Sequence, residues 1–222
     1  MPSDPDPDRD AESPISVQPL TFTPQPKLDR ALEMGWTAWI MAARTVGVEP
    51  VASWMAQRLG DAAMQSALLD PIRTILGEDL DERAIAAAEL GELAEETDDL
   101  LADALWDGTL VTGRRLDEPE VIFEATVHLA AIAEAHGDLL SAAEYYIGFL
   151  NWRREPEHTS EPEDVEVAFD EIIRLARLDN APEAVARWEY RQAEYTRLLA
   201  ADDERAIEGD WERDHAPYAA WE

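Results

Sequence analysis

Residues 118–154 overlay residues 161–197 without a gap, each position falling on the one 43 further along the chain. Glu118-Pro119-Glu120 meets Glu161-Pro162-Glu163, and Ala125, Ala133 and Ala143 meet Ala168, Ala176 and Ala186. Leu129 meets Ile172, Tyr145 meets Trp188, Trp152 meets Tyr195 and Arg154 meets Arg197. In each copy a turn at Gly137 or Asn180 divides two stretches whose apolar residues recur every three or four positions, the spacing of one helix face. Two amphipathic helices joined by a turn cannot bury both apolar faces alone, so such units stack. The repeat therefore predicts an all-α chain of stacked antiparallel helical hairpins, as a helical repeat or a bundle. β-Strand alternation is not sustained anywhere in the sequence.

Helix starts carry a common punctuation. Asp117-Glu118-Pro119-Glu120, Ser160-Glu161-Pro162-Glu163 and Asn180-Ala181-Pro182-Glu183 each place a capping residue, a Pro and a Glu in order. A cap side chain accepts an orphan backbone N–H, Pro lacks only an N–H that would be unpaired there, and Glu favours the positive end of the helix dipole. Asp117, Ser160 and Asn180 are the expected caps. Upstream, Leu28, Leu32, Trp36, Trp39, Ile40 and Ala43 share one helical face. After Gly47 and Pro50 the pattern resumes with Val51, Trp54, Met55 and Leu59, giving a hairpin over 27–69. A short segment at 71–77 precedes a long helix over 81–106, then a loop over 107–117 carrying Gly108 and Gly113. With the hairpins 118–154 and 161–200 these complete a helical domain over 27–206. Before it, residues 1–26 hold seven of the fourteen prolines and few apolar groups, which predicts a disordered acidic arm. After it, residues 207–222 form an aromatic, acidic tail.

The segment from Ala130 to Tyr146 resembles the middle of a tetratricopeptide-type hairpin. Gly137, Ala142 and Tyr146 stand where that family has its turn, a small residue and an aromatic. Residues 36–56 echo it through Trp36, Gly47 and Ala52. This chain departs from the family in its longer spacing, its missing closing Pro and Val185 in place of a small residue. The resemblance implies a scaffold of stacked helices that binds a partner protein.

Charge narrows the choice of partner. Asp and Glu number 49 against 18 Lys and Arg, Lys27 is the one lysine, and the net charge is −31. No broad basic face is available for nucleic-acid phosphate, so direct nucleic-acid binding is not expected. The composition is similar to that of halophilic archaeal proteins, in which dense carboxylates hold hydration and salt screens self-repulsion. Spread of the charge along the whole chain favours this reading over nucleic-acid mimicry. Without Cys there is no disulfide framework and no thiolate chemistry. No run of apolar residues is long enough for a membrane helix, and the four Asp in the first ten residues are unlike a signal peptide. A cytoplasmic protein without membrane insertion is expected.

Candidate sites follow from side-chain chemistry. Glu89, Glu92, Glu96, Asp99 and Asp103 form a carboxylate stripe on the long helix, a docking face for a basic partner, a weak divalent-cation surface or an ordinary solvated face. Glu155-x-x-His158 and Glu212-x-x-His215 have the spacing that di-iron bundles use, but the first lies in a Pro-containing loop and the second in the tail. No metal ligand is assigned. His128 and His136 share a face with Val121, Ala125 and Ile132 and read as boundary residues. The sequence has neither a glycine-flanked nucleophile turn nor a glycine-rich phosphate loop, so no catalytic or cofactor residue is assigned.

The partner-binding set is Arg153, Arg154, Arg187, Trp188, Arg191 and Tyr195, with Trp211, Tyr218 and Trp221 in the tail. Arg forks beside aromatics suit a carboxylate or phosphate on a partner, although Glu183 to Arg187 and Glu194 to Arg197 also have intrahelical pair spacing. Trp188 shares the helical spacing of the core aromatics Trp36, Trp39, Trp54, Tyr145 and Tyr146. The expected function is a non-catalytic scaffold or adaptor that binds another protein. A metal- or small-molecule-binding helical enzyme and an acidic nucleic-acid mimic are the alternatives.

Overall fold

A computed structural model of the protein describes residues 25–154, 158 and 160–200. Among these residues there are ten α-helices and no strand. They are α1 (Pro26–Leu32), α2 (Trp36–Val46), α3 (Val48–Arg58), α4 (Gln65–Leu76), α5 (Leu80–Glu95), α6 (Asp99–Leu116), α7 (Pro119–Ala135), α8 (Leu139–Arg153), α9 (Pro162–Leu178) and α10 (Pro182–Ala200). A 3-10 turn at Ala62–Met64 leads into α4. The expected arm, apart from Gln25 and Pro26, and the tail at 207–222 lie outside the described residues.

From α5 onward each helix packs against its neighbours in sequence, so α5/α6, α7/α8 and α9/α10 are hairpins laid side by side. The sequence repeat is present in three dimensions. α7 and α9 are both 17 residues long, and their inward residues correspond: Ile122 with Val165, Ala125 with Ala168, Leu129 with Ile172. The match continues backward. Ala86 and Leu90 of α5, 39 residues before Ala125 and Leu129, are buried in the same register. The α5/α6 hairpin is therefore one more unit, the first of three along the chain, hidden in the sequence because it lacks the Pro-Glu start.

Several expected boundaries change. The long helix over 81–106 is two helices, because Asp98 caps α6 by accepting the Leu101 N–H at 3.0 Å. The expected loop over 107–117 is mostly the second half of α6, and its glycines serve packing. The Gly108 backbone lies under the Trp36 indole, and Gly113 lies against Val121 and Ile122. The face from Leu28 to Ala43 is shared by two helices, broken at Gly35 with φ +91°. α4 runs through Pro71 without stopping.

The helix caps also move. Pro119 and Pro162 open their helices behind Glu118 and Glu161, whose side chains make no cap bond. Asp117 and Asn180 instead adopt left-handed conformations, φ 60° and 56°, at the ends of the preceding helices. The side-chain caps are aspartates, Asp79, Asp98 and Asp138, each accepting a backbone N–H three residues on.

The first helices close over one end of the array. α1 and α2 both touch α6, and Trp36, Trp39 and Trp54 form a buried aromatic row with centroids 5.6 and 6.3 Å apart. Arg58 of α3 pairs with both oxygens of Asp98, at 2.9 Å for the Nη2–Oδ1 contact, and with Asp29 of α1 at 3.1 Å. Trp54 Nε1 donates to that same Asp29 oxygen at 2.9 Å. One guanidinium thus fixes α1 and α3 to the start of α6.

Candidate functional site

The second helices of the first two units, α6 and α8, carry half-buried polar groups that come close to one another. Asp99, Asp103, Asp107 and Arg114 of α6 are spaced at four, four and seven residues, which puts them on one side of the helix. From α8, Tyr145 shares the electrostatic environment of Asp103 and Asp107, and Gly148 faces the Arg114 guanidinium. Asp107 accepts the backbone N–H of Trp36, supplying the cap that Gly35 cannot give to α2. His136, at the end of α7, places Nε2 3.0 Å from Asp99 Oδ2.

Burial dominates the electrostatics here. Asp103 and Asp107 are half-buried, and loss of hydration holds both carboxyls above the ordinary aspartate range. The Asp107 charge adds to the upward push on Asp103, while His136 opposes it. The Trp36 N–H and Arg114 oppose the shift on Asp107. Burial, then Asp103, Asp107, Asp138 and Glu144, push the Tyr145 phenol up to about 12. Neither Asp103 nor Asp107 forms an ion pair among the described residues. Chemically the groove offers desolvated acceptors to a cation, beside an aromatic ring.

A second polar cluster ties the units together. Glu95 Oε1 of α5 accepts from Trp106 Nε1 at 2.7 Å and lies 2.5 Å from His128 Nδ1 of α7. The His128 ring stacks on Trp106 with centroids 3.9 Å apart and planes 7° from parallel. Gly91 makes room for this, since a Cβ there would sit 2.9 Å from the indole. The arrangement recurs one unit on. Glu134, 39 residues after Glu95, receives Arg174 of α9 through contacts of 2.8 and 2.5 Å, and Glu171 joins the same guanidinium. Hydrogen bonding to Arg174 holds the Glu134 carboxyl below its usual range, and the guanidinium is raised in turn.

Of the residues singled out in the sequence, Trp188 and Tyr195 are interior. Trp188 is 1% exposed, and both pack on Phe169 with centroids 6.1 and 5.7 Å away. Their aromatic rings therefore pack inside the α9/α10 hairpin. Arg191 lies over the Trp188 ring at 4.7 Å. Arg187 is half-buried and forms no ion pair with Glu183, whereas Arg197 does pair with Glu194, at 2.6 Å. Arg153 donates to the His158 carbonyl at 2.7 Å, and Arg154 contacts Asn151 at 3.5 Å. Trp211, Tyr218 and Trp221 lie outside the described residues.

The carboxylate stripe is cut by the turn at 96–98, so Asp99 and Asp103 belong to α6 and the groove while Glu89 and Glu92 stay on α5. His158 Nδ1 sits 2.5 Å from Asp117, and His215 lies outside the described residues. Among the described residues no group of three or more His, Asp or Glu could hold a metal ion. No helix among them is long and apolar enough to cross a membrane.

The importance of Asp107 and Tyr145 was not visible in sequence. A signal exists in hindsight, because Gly108 and Gly148 occupy equivalent places 40 residues apart, each beside the groove residues of its helix. Comparison with known proteins gives no matching family model, no similar curated protein and no similar solved structure.

Proposed function

We propose that this chain is a non-catalytic helical-repeat scaffold, stacked in the tetratricopeptide manner, that holds another protein by a segment bearing Lys or Arg. The segment would lie along α6 and α8, with its cations on Asp103 and Asp107 and its side-chain stems on Tyr145. The observation that carries this reading is the pair of half-buried aspartates without an ion pair among the described residues. Carboxylates that have lost hydration gain most from a partner cation that restores their interactions. The dense acidity elsewhere is read as adaptation of the surface to high salt inside the cell.

The test is direct binding of labelled Lys- and Arg-rich peptides, measured by fluorescence anisotropy at the salt of the source cell. An Asp103→Asn, Asp107→Asn chain should lose about tenfold or more in affinity. Arg187→Glu with Arg191→Glu should leave binding unchanged, since those residues lie on α10. Equal affinity in wild type and the aspartate variant, or loss confined to the arginine variant, would remove the groove from consideration.

A further inference from the structure

Position 83 breaks the rule that the three units otherwise share. The first inward residue of α7 is Ile122 and that of α9 is Val165, both buried. The equivalent residue of α5, 39 positions before Ile122, is Arg83, only 9% exposed. A guanidinium at an apolar repeat position is costly unless its donors are met. Arg83 Nη2 donates to the Gly77 carbonyl at the end of α4, but its Nε–H is buried without a partner. Local rules are most often broken in this way where a site has been built.

A second arginine comes to the same place, and the charge of a third reaches it. Arg44 of α2 donates to the Gly77 carbonyl at 3.1 Å and to the Leu76 carbonyl at 3.2 Å, so two guanidiniums converge on one oxygen. Arg115, in the last turn of α6, adds its charge. Burial first, then Arg44 and Arg115, push the Arg83 pKa below the arginine value. The chain has 49 carboxylates, yet none of these three arginines pairs with one among the described residues. The C-terminal carbonyls of α4 supply about half a negative charge, which leaves the cluster more than two charges in excess.

We propose that Arg44, Arg83 and Arg115 form a binding site for a phosphate group, as inorganic phosphate or on a small phosphomonoester. Guanidinium forks match the oxygens of such a group. A phosphate also carries nearly two charges where a carboxylate carries one, which suits the excess. The site lies among α2, α4, α5 and α6 and does not depend on the groove along α8.

The full chain, held at constant ionic strength, is titrated calorimetrically with inorganic phosphate, with O-phosphoserine and with acetate. Saturable binding of phosphate or O-phosphoserine without acetate binding is expected, and the tighter of the two identifies the source. Arg44→Gln and Arg115→Gln, at exposed positions, should each weaken it about tenfold, with Arg177→Gln on α9 as an unaffected surface control. Arg83→Ile restores the residue type of the other units and should abolish binding in a folded chain. Equal heats with acetate, no saturable binding, or unchanged affinity in both Arg44→Gln and Arg115→Gln overturns the proposal. Those two variants decide the matter if Arg83→Ile does not fold.

Discussion

Gly108 and Gly148 occupy equivalent places in α6 and α8, yet adding a methyl group should have opposite effects at the two. A Cβ on Gly108 would lie 2.6 Å from Cε2 of Trp36, roughly 1 Å inside ordinary van der Waals contact. The obstacle is the body of an indole that is buried and stacked on Trp39, so it cannot swing aside. Overpacking of this kind costs about 1–3 kcal/mol, while replacing a mid-helix Gly by Ala returns about 1 kcal/mol. Gly108→Ala should therefore destabilise by up to about 2 kcal/mol, a fall in Tm of up to about 8 °C for a chain of this size.

At Gly148 the nearest atom is the tip of Arg114, 3.4 Å away, and the side chain can move. Gly148→Ala should raise Tm by about 2–4 °C. Thermal and urea unfolding, followed by circular dichroism at fixed high salt, measures both. In a Trp36→Leu background the penalty at Gly108 should largely vanish. A stabilising Gly108→Ala, or a penalty undiminished without the indole, refutes the packing account.

Two other outcomes follow from charge. Burial raises the folded-state pKa of Asp103, so the stability linked to its proton is complete below the unfolded value and lost as pH rises through the raised folded one. Asp103→Asn should thus be more stable than wild type at neutral pH and lose that advantage in acid, a comparison made by urea melts across the carboxylate range. The net charge of −31 is poorly screened when the Debye length reaches about 30 Å near 0.01 M salt. Tm should climb as KCl is raised toward molar concentration, and a flat profile would contradict the high-salt reading.

The last two hairpins were legible because their starts are marked by proline and their offset is constant, both strictly local signals. The first unit was not. Glu96-Thr97-Asp98 has no Pro or Gly, so periodicity reads straight through a break that only the Asp98 cap makes. Gly108 and Gly113 carry the opposite ambiguity: glycine marks a loop in sequence, but here it lets another side chain reach the backbone, which depends on residues far away in the chain. The burial of Trp188 and Tyr195 depends on Phe169 of the preceding helix, a contact that local spacing does not reveal. Asp103 is legible as part of the stripe, whereas Asp107 sits beside Gly108, where glycine reads as a loop. Arg83 carries no local sign, because its meaning rests on the register of the α5/α6 unit with the other two.

The three hairpins share a fold but distribute bulk differently between their two helices. In the first, Gly91 leaves a hollow that Trp106 of the opposite helix fills; in the third, the corresponding residue is Ile173, which is itself a buried side chain. Splicing α9 into the place of α5 would drive Ile173 into the indole, since packed interiors tolerate little added volume. The heritable and designable module is accordingly the pair of helices, and any shuffling of this gene that leaves a folded product has to carry both members of a hairpin together.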